Sequence, residues 1–453
     1  MDARRTTALA VSNGWPAARY AWYVVAVLTA AYTLSYIDRQ ILGLLLEPIR
    51  QDLQLSDTQV SLLVGTAFAL FYVTLGLPLG WLADRANRRN VMFIGVLLWS
   101  LMTAACGLAS NFWQLFAARM GVGVGEAALS PAAWSTIADY FPPERRVRPA
   151  ATYNLALAVG TGLAFIAGGA INAALIGLPE LDLPLVGRLE AWQTTFLALG
   201  IPGMFFALVV LTIREPQRRG VLAAASASRV PMRDAVRFIW NDHRKTFAAI
   251  LFAYAGFAIH SVTVTLWMPT LFMRRFGWTT AQVGLTLGPI LLVSCTAGVL
   301  VAMWLATWLR RRGSTGALFL TSLIGGVILT PLGIALPLVD DPVTALVLLA
   351  PVSALSFGIF AVVPPLLQLI TPNQIRGQVA AIFSFFNNVL GLMVGATYVA
   401  LITDFVLGDP ARLHHSLAIV AATVLPVSCL LTWWGLPHLR HSMESAESWL
   451  RNA

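Results

Sequence analysis

Charge is scarce in this chain. Only 11% of its 453 residues are Asp, Glu, Lys or Arg, while 58% are hydrophobic. Soluble domains carry about a quarter charged residues, so a soluble globular protein is excluded. Lysine is nearly missing, with Lys245 the only one. Cysteine is scarce too, and Cys106, Cys295 and Cys429 all fall within apolar runs. That placement suits small core residues and speaks against a disulfide framework or a metal site. The chain has no H-E-x-x-H, no G-x-S-x-G and no phosphate-binding loop, so an intramembrane enzyme is not expected. Nothing calls for a metal or a cofactor. Little sequence separates one apolar run from the next, which leaves no room for a separate soluble domain.

What the chain has instead is hydrophobic runs near 20 residues long, the length that crosses a bilayer. About twelve can be read, at roughly 20–46, 56–82, 90–110, 113–139, 150–176, 191–213, 246–272, 280–308, 315–338, 343–370, 376–407 and 415–437. The first follows basic residues but is too long for a signal-peptide core and lacks a small-residue cleavage site, so it counts as a span. The run at 376–407 is long enough to tilt or break.

A net charge of +9 suggests nucleic acid until the cations are placed. Arg4, Arg5 and Arg19 precede the first span, and Arg85/Arg88/Arg89, Arg145/Arg146/Arg148 and Arg310/Arg311/Arg312 follow spans two, four and eight. The loops on the other side hold few cations (Arg50, Arg188, Arg274, Arg275, Arg412) and most of the loop acids. This is the positive-inside pattern, which puts both termini in the cytoplasm, at the inner membrane if the source is bacterial. The excess charge sets topology, and no nucleic-acid partner is expected.

One run is not membrane filler. Residues 113–139, WQLFAARMGVGVGEAALSPAAWSTIAD, carry Arg119 and Glu126 inside an otherwise apolar span. Each ionised group at a membrane helix centre costs roughly 2.5–3.5 kcal/mol on insertion scales, so both need a reason. Seven residues at about 100° each leave them on one face but roughly 10 Å apart, too far for a direct ion pair. Gly121, Gly123 and Gly125 between them allow a neighbouring helix to approach closely. Their spacing imitates a dinucleotide loop, but no strand precedes them.

The first span ends in SYIDRQILG. Counting 1.5 Å per residue from the outer ends puts Asp38, Arg39 and Arg119 at one depth, with Glu126 nearer the midplane. An Asp–Arg pair between the two helices is therefore expected, with Asp38 held ionised. Glu126, with no cation one helical turn away, is expected to favour its protonated form.

The second span runs into GWLADRANRR, residues 80–89. Here the chain resembles the major facilitator superfamily, whose loop between spans two and three reads G-x-x-x-D-R-x-G-R-R. Asn87 replaces the usual Gly, and the expectation is that it takes the same left-handed backbone. The run RMGVGVGEAALSPAAWSTIADYFPPERR, and REPQRRG at 214–220, resemble the spinster-like lipid transporters. With Asp38-Arg39 the span-four run also resembles the organic-anion/proton symporters that carry sugar acids. These resemblances imply proton coupling by Glu126 and Asp38, and substrate binding by Arg39 and Arg119. They imply conformational gating by Gly80, Asp84, Arg85, Arg88 and Arg89, with Asp139 and Arg146 at the next inner loop.

The second half repeats the first loosely: Pro143-x-x-Arg146 before span five recurs as Pro372-x-x-x-Arg376 before span eleven. It offers His260, Asn387 and Asn388 as further substrate-binding candidates. Phe252, Tyr254, Phe257, Trp267, Phe383, Phe385 and Phe386 are candidates for lining a lipid-accepting cavity.

The expected fold is thus an all-α integral membrane protein of twelve transmembrane helices in two pseudo-symmetric six-helix halves. Residues 1–213 form the first half, 214–245 a cytoplasmic linker with a short helix near 231–241, and 246–453 the second half with a short tail. The expected function is proton-coupled transport of an amphiphile with an anionic or zwitterionic head, such as a lysophospholipid or sphingoid phosphate, by alternating access. Transport of small soluble organic anions such as sugar acids is the alternative. The expected partners are that small substrate and membrane lipid, and the chain is expected to act as a monomer.

Overall fold

A computed structural model of the chain describes residues 15–176, 181–183, 187–218, 232–372 and 375–451. The side chain of Asp84 lies outside the described part, as do Arg4 and Arg5. Among the described residues, strand occurs only in a small hairpin, Leu181–Leu183 paired antiparallel with Gly187–Leu189. The rest of the regular structure is helical.

Among the described residues, eleven segments are long and apolar enough to cross a membrane. In order they begin with Ala18–Asp52, then Asp57–Gly76 within a second span that reaches Arg85, and Arg88–Cys106. The fourth span, Phe112–Ala127 continued by Leu129–Tyr140, is the twelfth crossing and falls outside the eleven. It is the span that carries Arg119 and Glu126, and it is interrupted at Ala128. Pro131 has no N–H to give the carbonyl of Ala127 four residues back, which explains the break. The fifth and sixth spans are Val147–Leu175 and Ala191–Val210.

A short helix, Met232–Arg237, and a wide π turn, Phe238–Asp242, lead into the seventh span, Arg244–Phe276. Thr280–Arg311, Ala317–Ala335 and Pro342–Ala361 with Val363–Ile370 make spans eight to ten. The eleventh, from Arg376 to Leu407, widens into π turns at Asn387–Val394 and Ile402–Leu407. Leu413–Arg451 is the twelfth.

Glycine sets how closely spans approach. On the fifth span, a Cβ on Gly160 would meet Tyr36 of the first at 2.5 Å, and one on Gly169 would meet Leu285 of the eighth at 2.7 Å. The fifth and eighth spans thus seal one seam between the halves. At Gly298 an added Cβ would lie 1.9 Å from the Ala354 carbonyl oxygen of the tenth span. Gly298→Ala is expected to lower the unfolding temperature, because overpacking costs about 1–3 kcal/mol. Gly377→Ala, with nothing within 4 Å of its Cβ, is the matched control. Thermal unfolding in detergent compares the two.

Both chain ends leave the bundle at one end, here the terminal end; the other is the far end. At the far end the halves are tied. Arg274 of the seventh span donates to Glu47 of the first at 2.8 Å and to Asp57 at the start of the second at 2.6 and 2.8 Å. Thr58 donates its N–H and hydroxyl to Asp404 of the eleventh span, at 2.7 and 2.6 Å. Nearby, Gly65 lets the second span lie against the eleventh, its Cβ position 3.1 Å from the Leu392 carbonyl oxygen. At the terminal end spans two and eleven part, and a cavity of about 1890 Å³ opens between them.

One expectation about the inner loops needs correction. Asn87 is extended, at φ −70° and ψ 112°, and is not left-handed. Its side chain accepts from the N–H of Asn90 and caps the third span, a role glycine cannot fill. Arg88 is fully buried, and its guanidinium donates to Asp139 at 2.5 Å, Ser135 at 2.8 Å and Glu215 at 2.7 Å. The N–H of Arg89 also donates to Glu215. These bonds tie the third and fourth spans to the start of the linker. Arg146 and Arg376 do behave as a repeated pair: each donates to carbonyls at the end of the preceding span, Phe141 for one, Gln368 and Thr371 for the other.

Candidate transport site

Behind the floor of the cavity lies a buried charged cluster between the first and fourth spans. Glu126 accepts from Arg39 Nε at 2.5 Å and from the Ser35 hydroxyl at 2.6 Å, through the same oxygen, Oε2. Its Oε1 has no hydrogen-bond partner. The periodicity that puts Arg119 and Glu126 on one helix face left Glu126 needing a cation from elsewhere, and Arg39 supplies it. The expectation that Glu126 stands clear of any cation is therefore wrong. Depth counting ignores rotation about the helix axis: Asp38 and Arg39 lie about 100° apart on the first span and face different neighbours.

Asp38 takes the other direction. It is buried, and its neighbours are Thr103 of the third span and Arg119 of the fourth. Arg119 donates Nη1 to the backbone carbonyl of Asp38 at 3.3 Å, with no side-chain ion pair within 4 Å. Its Nε is unpartnered and the residue is 1% exposed, so it holds the first span from inside the protein and does not line the cavity.

Arg39 is the member packed directly against a cavity-lining side chain, Tyr72. Its guanidinium sits 4.4 Å from the Tyr72 ring centroid, 4.7 Å from Phe68 and 5.2 Å from Tyr36, an aromatic box that holds a cation by its ring faces. Tyr72 and Ala127 belong to the cavity wall. Because Ala127 adjoins Glu126 and Tyr72 covers Arg39, the ion pair lies immediately behind the floor.

The walls are mostly apolar and aromatic. Val73, Gly76 and Trp81 come from the second span, Pro131 and Trp134 from the fourth, and Leu251 and Phe252 from the seventh. The eleventh adds Phe385, Phe386 and Asn388. Of the aromatics expected there, Phe252, Phe385 and Phe386 line it, whereas Tyr254, Phe257 and Trp267 are buried in packing. The cavity exceeds the roughly 300–1,000 Å³ of ordinary small-molecule pockets.

The remaining candidates divide. Gly80 and Arg85 line the cavity, with the Arg85 guanidinium 3.9 Å over the Trp81 ring. Asn388 lines it too, although its amide donates to the Ser384 carbonyl at 2.8 Å. Asn387 is not among the lining residues, and its side-chain oxygen is buried without a partner. His260 is also away from the cavity, buried with its Nε2 close over Gly333 of the ninth span. Sequence reasoning missed Ser35, the aromatic box around Arg39, Glu215, and the far-end set of Glu47, Asp57, Arg274 and Asp404. Glu215 sits in a run whose resemblance was visible, but its partner lies 127 positions away.

Comparison with known proteins agrees with this architecture. Residues 28–396 match the Major Facilitator Superfamily. An MFS-type efflux pump of Mycolicibacterium smegmatis is 28% identical, over 92% of this chain and 92% of that protein. A probable L-galactonate transporter of Escherichia coli is 26% identical, over 63% of this chain and 62% of that protein. Protein spinster homolog 1 of Homo sapiens is 30% identical over 55% of this chain, which spans about half (46%) of that relative's length. Among solved structures, a bacterial homolog of the human lysosomal transporter Spinster, inward-facing and unoccupied, superposes with a TM-score of 0.77. That pair shares 23% identity over 96% of this chain and 99% of the other. With a family match covering most of its length and this helical arrangement, the chain belongs to the Major Facilitator Superfamily, as a multi-pass membrane transporter.

Proposed function

We propose that the protein is a proton-coupled carrier, working by alternating access, for an amphiphile with one anionic or zwitterionic head, such as a lysophospholipid. The observation that carries this reading is the cavity itself: a large, aromatic-walled space open between the second and eleventh spans, with a buried ion pair behind its floor and its other charges at the mouth. Apolar walls suit a chain, and a single buried cation suits one head group. The terminal end is the cytoplasmic one, so this state is inward-open. An impermeant thiol reagent is expected to label a cysteine placed at 182 from the outside only.

Glu126 and Arg39 supply the coupling. A proton on Glu126 cancels the attraction within the pair and frees Arg39 to take the head group. Conversely, a head group bound to Arg39 leaves Glu126 buried without its cation, a cost that taking up a proton relieves. Proton and substrate thus raise each other's affinity, and that reciprocity is required by linkage. Asp38 is the second proton site, beside Arg119. No cofactor takes part, and the working unit is a monomer.

A small organic anion such as a sugar acid is the second reading, favoured because Arg39 needs only an anionic group and by the similarity to the L-galactonate transporter. Liposomes holding the purified protein discriminate the two. Labelled lysolipid is expected to move faster with a pH gradient than without one. Uptake of a sugar acid with no lysolipid movement would overturn the lipid reading.

A further inference from the structure

Three cations stand at the mouth of the cavity, and among the described residues no acid pairs with them. Arg85 lies on the second span, and Arg244 and Lys245 begin the seventh, so the two halves contribute unequally to one rim. All three are exposed, and none makes an ion pair with a described acid. Around them the lining is aromatic: Trp81, which stacks on Arg85, together with Trp240 and Trp134. The floor, by contrast, offers only Arg39, already paired with Glu126.

We propose that Arg85, Arg244 and Lys245 form a loading site for the phosphate-bearing head of a single-chain amphiphile, occupied before the head passes down to Arg39. The proposal rests on the carrier reading above and adds a second binding site to it. A phosphate monoester carries about −1.5 to −2 charges and three acceptor oxygens, which matches several cations better than a carboxylate does. The tryptophans flank the head with ring faces and indole donors while the chain lies along the apolar wall. The arrangement also gives the head a mechanical effect. When the inner end closes, Arg85 approaches Arg244 and Lys245 and the like charges repel; an anion between them removes that repulsion. An anionic head therefore favours closure, and a neutral one does not.

Lys245 makes the test selective, being the only lysine in the chain. The full-length protein in phosphatidylcholine nanodiscs is acetylated, and modification of Lys245 is read by mass spectrometry. Ligands are a single-chain glycerol phosphate, the uncharged glycerol monoester of the same chain, and inorganic phosphate; a further disc contains phosphatidylglycerol. The glycerol phosphate alone is expected to protect Lys245, and its affinity, read by tryptophan quenching, is expected to fall at least about tenfold in R85Q/R244Q/K245Q. Unchanged affinity of that variant for the uncharged monoester shows that it is folded.

Equal protection by the monoester or by inorganic phosphate overturns the site, as does protection by phosphatidylglycerol discs with nothing further from the glycerol phosphate. Protection without any transport in liposomes would sink the carrier reading and leave the site standing. Transport by the triple variant with an unchanged KM would do the reverse.

Discussion

In Glu126→Gln, gradient-driven transport is expected to disappear while substrate binding survives. Glutamine keeps the shape of the protonated acid but cannot release a proton, so the variant is held in the loaded form. Arg39, no longer paired with a carboxylate, is free for the head group, and affinity should hold or rise. The sign of the pH dependence follows. In the wild type, loss of a proton from Glu126 restores its bond to Arg39 and weakens substrate binding. In the variant that slope is lost.

Arg39→Ala should act in the opposite sense, weakening binding by an amount on the order of 2–5 kcal/mol and leaving a buried Glu126 without its cation. Equilibrium binding and gradient-driven uptake, each measured across roughly pH 5.5–8 to bracket a carboxyl in a dry site, separate the two. If Glu126→Gln still transports with the wild-type pH profile, Glu126 is a packing residue and the coupling lies elsewhere, with Asp38 next in line.

The second large effect is expected at the far end. Arg274 joins Glu47 and Asp57 of the first half to the second, and the side chains of the two acids are 4% and 0% exposed. Breaking a buried pair by removing one partner costs about 3–5 kcal/mol, and the lower end applies here because Arg50, 2.9 Å from Glu47 and 3.8 Å from Asp57, still answers part of the charge. That cost falls only on the state in which the far end is closed. Arg274→Ala is therefore expected to shift the equilibrium toward far-end-open by more than about a hundredfold, since 1.4 kcal/mol is tenfold.

Spin labels at Gln54 and Ala411, exposed positions on the two sides of that end, would report a longer separation in the variant. Distances that match the wild type would mean that the Thr58–Asp404 contact and the packing around Gly65 hold the end closed without Arg274. Transport should slow in either direction, because a carrier that rests in one state completes fewer cycles.

The twelve spans and their alternation were legible in the chain because bilayer thickness dictates length and loop cations dictate side. So was the importance of Arg119 and Glu126, since a membrane span makes any internal charge conspicuous. The partnerships were not. Depth along a helix is a count of residues, but the direction of a side chain depends on how the helix is rotated, and small residues such as Gly123 and Gly160 set that through close packing. Rotation placed Arg39 against Glu126, 87 positions away, and turned Asp38 toward Thr103 and Arg119. The far-end tie was equally hidden, because Glu47, Asp57 and Arg274 read as ordinary loop charges until the halves are brought together. Sequence by itself determined what crosses the membrane and which charges require an explanation; the tertiary structure decided which of them meet, because helix rotation and the docking of two halves are settled by packing between residues hundreds of positions apart.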